Sequence, residues 1–277
     1  MAVHLVIIGN GFDLNLGLPT GYSDFIKSEQ FKKLIEENNN LATYLEKQHQ
    51  LQNWVDIELE LKKYARIQDI KKIEEFKENF RTLCVALSDY LNTLRDKDIN
   101  RKSHAFHMLT KAIALRNSMI IDFNYTNSVK DIIIKDCLSN PTGMLQKIHG
   151  SLDNKDIIFG VEDGIRNINP DYLFLQKSYH KSFGSVKMSE LLKTSSEISF
   201  FGHSLGVTDE KYLIDYFHSA ASSSFNLNLH NKKINFYHYG QKSFDELLKR
   251  IDILTSMKIG QFKINNDIRF IDVSLPL

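Results

Sequence analysis

The chain opens on a short apolar run, His4-Leu5-Val6-Ile7-Ile8. It is rich in β-branched side chains, which predicts a strand buried on both faces, as in a parallel sheet. It leaves through Gly9-Asn10-Gly11-Phe12-Asp13 and then Leu14-Asn15-Leu16-Gly17-Leu18-Pro19. From about Ser23 to Asn117 there is no proline or glycine, and the apolar positions recur at helical spacing. Phe25, Ile26, Phe31, Leu34 and Ile35 suit one amphipathic helix, Leu41, Tyr44 and Leu45 another, and Trp54, Ile57, Glu58, Leu61 and Tyr64 a third. A long run from Ile70 to Leu94 follows, and Ser103 is placed to cap a further helix. Strand-like runs resume at Met119–Phe123, with others predicted within Gln146–Ser151, a short strand running into a polar loop, and at Asp156–Gly160, Ile198–Phe201, Lys233–Tyr239 and Phe270–Val273. Helices are expected at Val129–Cys137, from a cap at Thr208 or Asp209 through Phe217, and at Phe244–Leu254. Asn167–Phe183 has no clean period and reads as irregular with some helix. Strands alternating with helices predict an α/β fold, doubly wound around a mainly parallel sheet. Residues 1–22 and 118–277 would form that core, and 23–117 an all-helical insertion or cap.

In such a sheet ligands sit outside the carboxyl ends of the strands. Four predicted strands end in small or polar loops: Gly9 to Asp13, Asn124 to Asn127, His149 to Ser151, and Gly202 to Leu205. Any one alone is ordinary loop chemistry. In parallel strands, all four converge on one crevice. The Gly-x-Gly turn allows close backbone approach, so the amides of Gly9 to Phe12 are expected to cradle phosphate. Glu58, four residues after Trp54, is placed to face a cleft beneath the cap, although packing alone also accounts for that helical set.

Composition narrows the partners. The 277 residues carry 35 basic and 34 acidic side chains, a formal net charge of +1, which gives no global attraction to nucleic acid. Cys84 and Cys137 form neither a disulfide framework nor a zinc pair, so a reducing cytoplasm is expected and no metal. No apolar stretch reaches the roughly 18 residues of a membrane span, and no signal-like leader opens the chain.

The longer string Gly9-x-Gly11-x-Asp13-x-x-x-Gly17-Leu18-Pro19 resembles the nucleotide loop of the sirtuin fold, a Rossmann-like fold. Its wording, with Gly-Leu-Pro-Thr and Tyr22-Ser23-Asp24-Phe25, resembles the AbiH family of bacterial abortive-infection proteins. Asp122-Phe123-Asn124-Tyr125-Thr126 falls where sirtuins have Thr-Gln-Asn-x-Asp, Ile148-His149-Gly150 matches their His-Gly, and Gly202-His203-Ser204-Leu205 matches the turn that holds the adenosine ribose. The resemblance runs from Val3 to about Leu205, and the AbiH wording adds Thr208-Asp209 and Trp54 through Glu58. It implies that Asn124 and His149 are catalytic, and that Gly9, Asn10, Gly11, Phe12, Asp13, Gly17, Thr126, Gly202 and Ser204 bind a nucleotide. Three departures stand out. Asp13 replaces a small Ser, where a carboxylate would repel pyrophosphate unless it caps the helix. Thr126 replaces an acidic residue that helps hold nicotinamide, and the four-cysteine zinc module is absent, which argues against a protein deacylase.

The resemblance implies an anti-phage effector that hydrolyses NAD or a related nucleotide. Cleaving a nicotinamide–ribosyl bond passes through a cationic sugar and needs a placed water and a base that titrates near neutrality, which an imidazole is. Asn124 would orient the ribose or the water. Because both lie at loop starts, replacing either by Ala is expected to leave the melting temperature nearly unchanged. His203, in the same crevice, has no catalytic counterpart in the resemblance. The rival reading is a nucleotide-sensing module without catalysis that docks a partner protein through its helical cap. The partners implied are a nucleotide and, beyond it, a second copy of the chain or a phage-derived trigger; a nuclease is disfavoured because no metal-ligand spacing occurs.

Overall fold

The computed structural model describes residues 4–52, 57–153, 156–163, 169–181, 183–184, 186–224, 226 and 229–277. Trp54, Val3 and part of the Asn167–Phe183 stretch therefore lie outside the described residues. Six strands form one parallel sheet: β1 His4–Ile8, β2 Ser118–Asp122, β3 Leu145–Lys147, β4 Glu197–Phe201, β5 Lys233–His238 and β6 Asp267–Asp272. Their order is β3-β2-β1-β4-β5-β6, that of a Rossmann-like doubly wound sheet whose direction of winding reverses between β1 and β4. Val6 pairs with Ile120 and Ile7 with Ile121, so β1 and β2 are neighbours although the helical region separates them in sequence.

Alternation along β1 sends its side chains to two different layers. Leu5 and Ile7 join Ile121, Ile198, Phe200, Ile234 and Phe236 on one face. Against them pack α9 (Met188–Thr194), α10 (Ile214–Ala220), α11 (Gly240–Leu254) and α12 (Ile259–Asn265). Phe236 lies between Phe200 and Phe270 of the flanking strands, with ring centroids 5.0 and 5.5 Å away. Val6 and Ile8 face the other layer, with Ile120 and Phe201. There they meet α1 (Asn10–Asn15), α7 (His104–Ala114) and α8 (Ser128–Asp131), which continues as a wider turn over Ile132–Asp136.

The remaining helices, α2 (Tyr22–Ile26), α3 (Glu29–Glu36), α4 (Asn40–Gln52), α5 (Ile57–Ile67) and α6 (Ile73–Asn92), build a separate core. Leu152, Phe159, Val161, Tyr172 and Leu175 complete it from the segment after β3. Packing therefore draws the boundary differently from residues 23–117. Helix α7, whose cap Ser103 accepts the Phe106 N–H at 3.2 Å, belongs to the sheet layer.

Two further expectations are corrected. Asp156–Gly160 is not a strand: Phe159 turns into the helical core, and among the described residues the pairing nearby is a single bridge between Val161 and Gln176. Residues 207–212 form a short 3₁₀ turn before α10, and neither Thr208 nor Asp209 caps it, since the residue before the turn is Gly206. Helices α9 and α12 are present without having been anticipated.

Candidate active site

The carboxyl ends of β1, β2, β3 and β4 lie side by side, and their four loops interlock. Gly9 and Gly11 donate their amides to Phe201 O and Gly202 O, each at 3.0 Å. Side chains are excluded there by backbone: a Cβ on Gly9 would lie 2.7 Å from Gly202 O, and one on Gly11 2.6 Å from Gly202 Cα. Gly202, at φ +62°, would press a Cβ to 2.4 Å from Gly11. The first demand on these glycines is thus the crossing of two loops. Phe12 N donates to Gly9 O at 2.9 Å, so three of the amides expected to cradle phosphate are already engaged. The Phe12 side chain is core, edge-on to Phe201 at 5.6 Å. Asn10 Oδ1 accepts from Thr20 Oγ1 at 2.6 Å. Gly17, at φ +86°, ends α1 at the far end from this turn, and Ser204 is exposed.

The second loop is tied to the first. Asn124 donates Nδ2 to Gly9 O at 3.2 Å, and its own amide donates to Asp122 Oδ1 at 2.9 Å. Asp13 does not cap α1; its buried carboxylate accepts Thr126 Oγ1 at 2.5 Å and Ser128 Oγ at 2.5 Å. Burial pushes its carboxyl up to about 6, opposed by those hydroxyls and reinforced by Asp122. Two departures from the sirtuin pattern, Asp13 and Thr126, are therefore partners in one hydrogen bond. Lys147 closes the group, donating to Asp122 Oδ2 at 2.9 Å and to Thr126 O.

The third and fourth loops meet around Phe123. Its ring is edge-on to His149 at 5.3 Å, to His203 at 4.5 Å and to Tyr212 at 5.8 Å. His149 Nε2 lies 3.2 Å from Asp209 Oδ1, near enough to share charge but not aligned as a hydrogen bond. His203 Nε2 lies 3.8 Å from Asp209 Oδ2. Lys177, only 2% exposed, spans Asp209 Oδ1 at 3.5 Å and Glu58 Oε2 at 2.8 Å. Tyr22 Oη donates to Glu58 Oε1 at 3.4 Å.

Electrostatics sort these groups. Burial opposes the ionisation of Asp209, yet Lys177 and His149 outweigh it and hold the carboxyl well below its ordinary range. Burial likewise opposes the Lys177 charge, but Glu58 and Asp209 raise it above the usual lysine value. Glu58 moves up, because burial exceeds the pull of Lys177. Burial lowers His203 to about 4, with Asp209 opposing and His149 and Lys177 adding to the fall. His203 Nδ1 accepts the Leu205 N–H at 3.1 Å, so in the neutral ring the proton is on Nε2. His203 thus has no free nitrogen lone pair to act as a base.

A family model for bacteriophage abortive infection AbiH matches residues 5–230. The chain belongs to the AbiH family. Membership implies an abortive-infection role against bacteriophage. No curated protein matches this AbiH chain. Among its described residues no helix is long and apolar enough to cross a membrane.

The structure brings Asn124, Asp13, Thr126, Gly9, Gly11 and Gly202 into one contact set, with His149 against the ring of Phe123. Glu58 does face this region from the cap. The surroundings of Lys177, Tyr172 to Tyr179, carry no period that would single it out; the available signal is one lysine just after the apolar run Tyr172-Leu173-Phe174-Leu175. Asp209, expected as a cap, instead turns its side chain inward to His149 and Lys177. Asn124 and His149 are both buried, so truncation to Ala would cost stability. Losing the Asn124–Gly9 bond alone is worth about 1 kcal/mol.

Proposed function

We propose that this abortive-infection protein cleaves the N-ribosyl bond of NAD or a related nucleotide with water. Water oxygen attacks C1′ of the ribose, the C–N bond breaks with its electron pair passing to the pyridinium nitrogen, and His149 takes the water proton. The products are nicotinamide and ADP-ribose. Asn124 orients the ribose or the water, and Asp209 supplies a countercharge to the proton held by His149. The observation that carries this reading is that Asn124, bonded to Gly9 O, and the His149–Asp209 pair sit on loops at the carboxyl ends of a Rossmann-like sheet, where ligands of such sheets bind. A base in that role typically contributes ~10²–10⁴-fold in rate. The sirtuin-like motifs support the same assignment. Incubating the protein with NAD and resolving nicotinamide and ADP-ribose by chromatography tests it.

One observation favours a second reading, a nucleotide sensor. The first-turn amides are engaged, and His149, His203 and Lys177 are each less than a tenth exposed, so a ligand enters only if the helical subdomain moves. A sensor would bind NAD or ADP-ribose in a calorimeter and release no nicotinamide.

A further inference from the structure

We propose that Asp209 is a positioning residue for His149, and that Glu58 of α5 sets it through Lys177, so that docking of the helical subdomain arms the imidazole. The proposal rests on the reading of His149 as the base of the site.

Nothing local fixes Asp209. It lies in a short 3₁₀ turn without a capping role, and the two groups nearest its carboxylate, His149 and Lys177, come from distant segments. Lys177 and His149 share Oδ1, at 3.5 and 3.2 Å, while His203 approaches Oδ2 at 3.8 Å. Among the described residues both imidazole Nε2 atoms are buried without a hydrogen-bond partner, and both face this one carboxylate. A buried polar atom left unpaired is costly, so a small rotation of Asp209 decides which ring it serves. His203 is pinned by the Leu205 amide, which leaves His149 as the ring whose setting depends on the carboxylate.

Lys177 is the intermediary. It bonds Glu58 Oε2 at 2.8 Å, and one turn further along α5 Lys62 pairs with Glu162. Residues i and i+4 share a helix face, so two bridges of opposite polarity clamp α5 to one strip of chain. That strip is itself tied together: Val161 N donates to Leu175 O at 2.8 Å and Lys177 N to Val161 O at 3.0 Å. Removing the Glu58 charge frees Lys177 to draw Asp209 toward itself and away from His149. The ionisable groups facing Asp209 are Lys177, His149 and His203, with Glu58, Tyr125 and Tyr212 beyond them.

The test compares wild type, Asp209→Asn and Glu58→Gln in nicotinamide release and in imidazole ¹H–¹⁵N spectra. Asp209→Asn is expected to lower kcat ~10²-fold, and Glu58→Gln about tenfold, with KM within about threefold in both. In both variants the pH profile of kcat moves and the His149 ring resonances are displaced, although Glu58 makes no bond to that ring. Unchanged His149 resonances in Glu58→Gln, whatever its melting temperature, overturn the proposal. So does an unaltered kcat and pH profile in Asp209→Asn while the wild type turns over. If the wild type releases no nicotinamide, the hydrolase reading falls and the ring spectra decide this proposal alone. Should Asp209→Asn fail to fold, Glu58→Gln carries the test.

Discussion

Replacing Asp13 by Asn isolates one buried carboxyl. In the unfolded chain the group titrates at its ordinary 3.8, and in the fold burial moves it to about 6. A carboxyl raised in this way favours its neutral form when folded. Its stabilising contribution is complete below pH 3.8 and disappears as pH rises through about 6. The gap, at about 1.4 kcal/mol per factor of ten, amounts to about 3 kcal/mol lost by pH 8. Asn keeps the shape and removes that loss, but its bonds to Thr126 and Ser128 are weaker by about 1 kcal/mol. The net gain at pH 8 is about 2 kcal/mol, or about 5 °C in melting temperature for a chain of this size. Differential scanning calorimetry at pH 8 and pH 4.5 reads it: the variant melts higher at pH 8, and the advantage vanishes or reverses at pH 4.5. A variant less stable than wild type at pH 8 would refute the reasoning, since it would mean that the two hydroxyls hold Asp13 ionised.

Other substitutions probe the sheet and the buried cluster. Gly202→Ala meets Gly11 backbone at 2.4 Å and carries φ +62°; urea unfolding should show a loss above about 2 kcal/mol. Gly143→Ala, at φ +77° with open space around it, should lose only about 1 kcal/mol. Phe236→Ala, between two stacked rings, should cost about 3–5 kcal/mol by the same measurement. Lys177→Met leaves Glu58 and Asp209 without their shared cation and should cost ~3–5 kcal/mol, part of which the added change Glu58→Gln restores in thermal melts.

The sheet was legible because strands buried on both faces have no polar alternation to confuse them: Leu5 to Ile8, Met119 to Ile121 and Ile198 to Phe201 read plainly. Asp156–Gly160 has the same apolar density, but Phe159 spends it on the helical core, and only packing distinguishes those uses. The seven-residue helices α9 and α12 are too short to display a period. The four loops were legible as polar exits from apolar runs, and Asn124 and Gly9 do touch. The reason for the glycines was not legible, because it depends on the β1–β4 neighbour relation, which brings Gly11 against Gly202. Nor was the pairing of Lys177 with both Asp209 and Glu58, whose partners come from three separate segments.

The central claim is tested most directly by incubating purified protein with NAD and following nicotinamide by chromatography, beside His149→Gln. That substitution keeps an amide near the position of Nε2 and avoids the cavity an alanine would leave. Wild type should release nicotinamide and ADP-ribose in equal amounts, and His149→Gln, folded and still binding NAD by calorimetry, should release neither. A wild type that binds NAD and releases no nicotinamide, or a His149→Gln variant that turns over at the wild-type rate, would contradict the account.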